Sequence, residues 1–193
     1  MVQSMRERKK AQTRDALIAA GIQLFAEHGF AAVTVADIAA AVDVSPRTFH
    51  RYFPDKVELL FAHDDEVLEI VRDALRQEPD GADPITVVRS VLAAITERLA
   101  GSHAELAIRE QLLNQAAVLR DRNLAKRAAV EQLLAEHLAI RLRVAVDEDV
   151  RPRWWAGVAF ATFTAGYQTW LAQGGELSAH LASAIRLLEP NPT

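Results

Sequence analysis

The 193-residue chain has no cysteine. This excludes a disulfide framework, a thiolate metal site and a thiol nucleophile, and it fits a reducing compartment. Glycine and proline are scarce, at 8 and 7 residues, which favours a helical chain over one of many short strands and turns. General basicity is missing as well. The net charge is −4 and the isoelectric point about 5.9, so only a local basic patch is open to the protein. No apolar run follows Arg6, Arg8, Lys9 and Lys10, so no signal peptide is expected and the location is read as cytoplasmic. Signatures of catalysis are lacking too: there is no nucleophile elbow, no Gly-rich phosphate loop and no His-x-x-x-His pair. The run His63-Asp-Asp-Glu66 splays around a helix and cannot face one ion. No catalytic residue, metal ligand or cofactor is therefore assigned.

What the chain does have is hydrophobic residues over half its length, with much Ala and Leu. The expected fold class is all-α. The most informative stretch runs from Thr34 to Phe53. Thr34 is a good N-cap, and Asp37 three residues on completes a capping-box pattern. Val35, Ile38, Ala39 and Val42 then form one apolar helical face. Asp43 interrupts. Ser45 caps a second helix with Pro46 at its first position, where a missing N–H costs nothing. Phe49 and Phe53 lie one turn apart and are assigned to the core. Arg47 and Arg51 lie on the opposite face, flanked by Thr48 and His50. A short helix with an aromatic underside and a basic, hydroxyl-bearing outer side suits the DNA major groove.

The flanks agree. Arg6 to Lys10 and Arg14 make a basic arm, read as contacting phosphates rather than as a solvated tail. Leu17, Ile18, Gly21, Leu24 and Phe25 mark an amphipathic helix that Gly29 ends. Asp55 and Glu58 repeat the capping pattern, and the helix N-terminus there, with Lys56, could hold a phosphate. That helix is expected to run on to Leu75 and to stop in the breaker 78–84. Five further helices are expected, at about 84–100, 102–118, 121–142, 153–173 and 177–188. The uncharged stretch Trp154 to Gly175 is long enough to span a bilayer. Thr162, Thr164, Gln168, Thr169 and Gln173 are spread around it, however, and Gly157, Ala161, Ala165 and Gly166 suit close helix packing. A buried helix at a subunit interface is the preferred reading, with no membrane span.

The segment from about Lys10 to Leu60 resembles the DNA-binding domain of the TetR family of bacterial regulators. The resemblance rests on Ala19-Ala20, Leu24-Phe25, Gly29-Phe30, Thr34-Val35, Ile38-Ala39, Val44-Ser45, Thr48-Phe49, Tyr52-Phe53-Pro54-Asp55-Lys56 and Leu59-Leu60, in that order and spacing. Asp43 departs from the glycine usual in the family's inter-helix turn, and a left-handed backbone there is tolerable for Asp. His50-Arg51 replaces residues that are often aromatic. The resemblance implies DNA contacts from Thr48, from His50 or Tyr52, and from Lys56. Guanidinium chemistry adds Arg47 and Arg51, and the caps Thr34 and Ser45 complete the expected DNA-binding set.

The same resemblance implies an N-terminal three-helix helix-turn-helix domain, placed at 8–56, and a C-terminal helical-bundle ligand-binding and dimerisation domain, placed at 57–190. It also implies a homodimer through the last two helices. Looser features of the C-terminal half (Phe61 to Leu68, the breaker, Trp170-Leu-Ala-Gln-Gly-Gly175) resemble a TetR subgroup with acyl-CoA-like ligands. Most of Trp154, Trp155, Phe160, Phe163, Tyr167 and Trp170 are read as packing, as are most polar groups within apolar helices (His63, His103, Arg109, Gln111, Asn114, His137). His103, Arg109, Asn114, Phe163 and Tyr167 are singled out as ligand candidates. The expected protein is a repressor on a pseudo-palindromic double-stranded DNA operator, released by a small apolar or acyl-CoA-like effector. An architectural DNA-binding protein without an effector is the alternative.

Overall fold

The computed structural model of the chain describes residues 5–62, 64–79 and 81–188; His63 lies outside them. Among the described residues there are ten helices and no strand. These are α1 (Met5–His28), α2 (Val35–Ala41), α3 (Pro46–His50), α4 (Lys56–Leu60), α5 (Asp64–Gln77), α6 (Pro84–Leu99), α7 (His103–Leu113), α8 (Ala117–Leu142), α9 (Val150–Gln173) and α10 (Leu177–Arg186). The all-α class is as expected. The chain forms two compact units: residues 1–63 with 104–123, and residues 64–103 with 124–193.

In the first unit, α1 buries Leu17, Ile18, Ile22 and Phe25. It ends where the Gly29 amide donates to the Phe25 carbonyl at 2.9 Å and Gly29 turns to φ +80°. Gly21 lets α4 approach, since a Cβ there would meet the Leu59 side chain at 2.6 Å. Helix α2 closes in a Schellman motif. Val44 N donates to Ala39 O at 3.0 Å and Asp43 N to Ala40 O at 3.1 Å, with Asp43 at φ +54°. The turn thus takes the left-handed residue expected at Asp43. Ile38, Ala39, Phe49, Phe53, Leu59 and Leu60 close the core with α1.

Three features sharpen or change the sequence expectation. The basic residues Arg6, Arg8, Lys9 and Lys10 form the exposed first turns of α1, with Arg14 half-buried on the same helix. The helix from Asp55 does not run to Leu75: α4 stops at Leu60, and Phe61 and Ala62 are buried in the core of the first unit. Arg14 donates to the Ala62 carbonyl at 2.5 Å, an acceptor that a continuous helix would have used internally. The third feature is an elbow at 114–116, so that α8 begins at Ala117 and takes in Val118. Here the Gln115 Oε1 accepts from Phe30 N at 3.2 Å, and Arg120 donates to the Asn114 carbonyl at 3.2 Å. Leu112, Leu113 and Leu119 complete the core of the first unit, and Arg122 pairs with Glu58.

The second unit packs Val71, Leu75, Val87, Val88, Val91, Leu92, Leu134, Leu138, Ala156 and Ala159. Arg141 of α8 clamps the end of α5, donating to the carbonyls of Leu75, Glu78 and Pro79, while its Nε donates to His137 Nε2 at 2.6 Å. Burial, helped by the Arg141 charge, holds His137 below the usual histidine range. Helix α8 ends in a second Schellman motif on a non-glycine residue, Arg143 at φ +55°, with Val144 N on Ala139 O at 3.0 Å. Gly166 admits α10 to α9, since a Cβ there would lie 2.5 Å from the Leu181 side chain and 3.1 Å from its Cα. The polar residues of α9 are partly satisfied within the helix: Thr162 donates to Val158 O at 2.7 Å and Thr169 to Ala165 O at 2.8 Å. Among the described residues, no helix is long and apolar enough to cross a membrane.

Candidate nucleic-acid interface and effector residues

The interface is built on caps. The Thr34 hydroxyl accepts from Asp37 N at 3.2 Å, and Asp37 Oδ2 accepts from Thr34 N at 2.8 Å and from its hydroxyl at 2.7 Å. These bonds to Thr34 hold the Asp37 carboxyl below its ordinary range. Ser45 Oγ accepts from Thr48 N at 3.1 Å and lies 3.0 Å from the Thr48 hydroxyl. Both capping hydroxyls are therefore engaged with their own helices. Five residues of α-helix are few, but Phe53 N still donates to Phe49 O at 3.0 Å, so the turn extends to the second phenylalanine. Phe49 is fully buried and Phe53 nearly so, as expected of the underside.

The outer side presents Arg47, His50 and Arg51, all exposed, with Thr48 half-buried. Arg51 stacks its guanidinium 5.1 Å from the Tyr52 ring centroid and donates to the Tyr52 hydroxyl at 3.3 Å. Burial pushes the Tyr52 phenol up, but hydrogen bonds with Arg51 and Thr13 and the charges of Arg51 and Lys10 outweigh it and bring the phenol below its usual value. His50 bonds through Nδ1 to the Pro54 carbonyl at 3.1 Å. Lys56 is committed more deeply than its place in the sequence suggests. Its ammonium donates to the carbonyls of Phe30 and Val33, each at 2.7 Å, and sits 4.4 Å from the Phe30 ring centroid. Burial lowers its pKa. Asp55 caps α4, accepting from Glu58 N at 2.9 Å.

The five effector candidates divide between the units. His103, Phe163 and Tyr167 lie in the second unit, and Arg109 and Asn114 in the first. His103 bonds to the Trp170 carbonyl at 3.2 Å and meets that ring edge-on at 4.7 Å. Trp170 neighbours Tyr167, which stacks on Phe163 at 5.2 Å. Trp170 thus links three of the candidates into one row, a role that its buried position near the end of α9 gives it and that residue type alone did not. Arg109 stacks on Phe61 at 5.0 Å and donates to Asn123 at 3.2 Å. Asn114 is exposed and donates to the Glu110 carbonyl. The second unit also has a groove of about 420 Å³, lined by Ile70, Ala74, Ser90, Ala94 and Arg98 among others. None of the five candidates lines it. Among the described residues no cluster of His, Asp or Glu suits a metal ion.

Comparison with known proteins agrees with this geometry. Residues 17–63 match the family of bacterial regulatory proteins named tetR, and residues 82–192 match the MftR C-terminal domain. The chain is 30% identical to the HTH-type transcriptional regulator TcmR of Streptomyces glaucescens, over 96% of this chain and 87% of TcmR. The fatty acid degradation regulator FadR from Bacillus halodurans has the same fold, with a TM-score of 0.65 at 22% identity over 100% of this chain and 98% of that one. Thermus thermophilus FadR, a TetR-family transcriptional repressor solved in complex with lauroyl-CoA, gives 0.57 at 26% identity over 93% and 98%. With a helix-turn-helix head and relatives that are regulators rather than enzymes, the chain belongs to the TetR family of bacterial transcriptional regulators.

Proposed function

We propose that this regulator is a homodimeric repressor that holds a pseudo-palindromic operator until a small apolar or acyl-CoA-like effector releases it. The observation that carries the DNA part is the exposed start of α3, where Arg47 and Thr48 stand over a capped N-terminus with Phe49 and Phe53 buried beneath. Arg47 and Thr48 read base edges. Arg51 with Tyr52, His50, and the N-terminal residues of α2 and α3 at Thr34 and Ser45 meet the sugar-phosphate backbone. Lys56 has one N–H left after its two carbonyl bonds, and this reaches a phosphate. The reading head falls within 8–56, and effector binding and dimerisation within 57–190.

Two heads must sit about one helical turn of DNA apart, which calls for a dimer. Exposed Trp154, Ala161, Ala165, Gln168 and Ala172 share one stripe of α9, which supports pairing through α9 and α10. The lauroyl-CoA bound to Thermus thermophilus FadR supports an acyl-CoA effector, and the row His103, Phe163, Tyr167 offers apolar and aromatic surface for the acyl chain. The effector shifts the equilibrium only by its differential affinity for the two states.

The test is selection of bound duplexes from a random pool, followed by challenge of the complex with lauroyl-CoA while tryptophan emission reports binding. Enrichment of one palindrome and its release by the ligand are expected. Even coverage of all sequences would instead favour the architectural alternative, and ligand binding without release would remove the effector part alone.

A further inference from the structure

We propose that DNA binding by this protein takes up a proton at His50. The inference rests on the reading of α3 as the DNA-facing helix. His50 is exposed on the last turn of that helix. Its ring stands edge-on to Phe49, 5.5 Å between centroids at 85°, and its Nδ1 lies 3.1 Å from the Pro54 carbonyl oxygen. A carbonyl only accepts, so Nδ1 carries the hydrogen, and the neutral ring is left with a bare lone pair at Nε2. Nε2 is then the one ring nitrogen that can meet DNA.

A phosphate oxygen also only accepts, so it bonds to Nε2 only after that nitrogen is protonated. The residue's place on the helix selects the phosphate over a base. Recognition helices put their first residues on base edges, here Arg47 and Thr48, while the later turn lies nearer the backbone. Charged groups on the surrounding elements include Arg47 and Arg51 of α3, Asp37 and Asp43 of α2 and its turn, Asp55, Lys56 and Glu58 at α4, and Lys10 and Arg14 of α1. Glu58 pairs with Arg122, and Lys56 with the Phe30 and Val33 carbonyls. Asp37 and Asp55 turn their carboxylates to their own caps, and Lys10 and Arg14 act on Tyr52 and Phe53. The ring bonds to the Pro54 carbonyl and to no carboxylate, so we take the anion that fixes the proton from the DNA. A bound phosphate raises the proton affinity of the ring, so the contact is complete on the acid side and is lost as pH rises. Histidine is the side chain that commonly gains or loses a proton near neutral pH.

The test measures the affinity of the full-length protein for a duplex selected from a random pool, from about pH 8 to about pH 6 at fixed ionic strength. A single linked proton changes affinity by at most tenfold per pH unit. A rise of about five- to tenfold per head is expected, together with a salt slope steeper by about one phosphate per head at the acid end. His50→Asn is the control. Its amide N–H can take the place of Nδ1 and keep the bond to Pro54, with nothing at Nε2. The rise toward acid should be absent from its profile, which separates His50 from the other five histidines. Superimposed profiles for the two proteins overturn the proposal, as does wild-type affinity that falls toward acid, the sign of a neutral ring accepting from a base amine. Firm binding near pH 8 with a flat profile removes the proton step and leaves the DNA reading intact. No binding at any pH removes both.

Discussion

Asp43 carries a left-handed backbone, φ +54°, at the joint between the two helices of the DNA head. An L-residue with a Cβ is strained there, and glycine is not. Asp43→Gly should stabilise the head by about 0.5–1 kcal/mol, read as a rise in the urea midpoint, and a β-branched residue at the same position should lower it. Lys56 makes the opposite case. Because its ammonium already serves the Phe30 and Val33 carbonyls, Lys56→Ala should cost about 1–2 kcal/mol of stability as well as lowering affinity for all DNA and flattening the salt slope by about one contact per head. A slope unchanged by the substitution would confine Lys56 to its structural role. The two residues differ in how legible they are. The turn at Asp43 and the caps at Thr34, Ser45 and Asp55 are local bonds between near neighbours, so the sequence displays them. The acceptors of Lys56 lie 23 and 26 residues away, and only the folded chain brings them to it.

Helices announce their beginnings better than their ends. Capping starts α2, α3, α4, α6 and α9, with Asp or a hydroxyl residue in each case. The breaks after Leu60 and Leu113 carry neither glycine nor proline, and apolar periodicity runs through them. They arise from tertiary demands: Phe61 and Ala62 are needed in a core, and Gln115 is needed at the Phe30 amide. Asp149, the cap of α9, offers a test at this level. Its side chain accepts from the Arg151 side chain and amide, and those bonds hold its pKa down to about 2. A depressed carboxyl contributes stability that is complete above its unfolded value and is lost as pH falls through the folded one. The thermal midpoint should therefore drop as pH falls from about 4 toward about 2, and Asp149→Asn should make that acid limb shallower. A limb unchanged by the substitution would show that the Arg151 pairing adds nothing to folding.

The proposed dimer belongs to the scale of the whole molecule. Ala161 and Ala165 are exposed on α9, and Ala161→Glu would bury a charge in the proposed interface. The variant should sediment as a monomer and bind the selected duplex at least about a hundredfold more weakly, since one head alone loses its tethered partner. An unchanged dimer would move the interface away from this stripe. Effector candidates are the least legible from sequence, because the sides of a pocket come from distant turns. Residue type suggests five, and the folded chain brings His103, Phe163 and Tyr167 into one row with Trp170.

The strap 104–123 has a bearing on how such a chain can evolve. The residues proposed to meet DNA end by Lys56, yet Leu112, Leu113 and Leu119 supply a wall of their core, and Gln115 and Arg122 bond to Phe30 and Glu58. The N-terminal 62 residues and the rest of the chain are therefore not interchangeable cassettes. A recombination that joined this head to a relative's sensor after Ala62 would deliver a foreign wall, and would succeed only where that relative kept matching apolar bulk and an amide acceptor for Phe30.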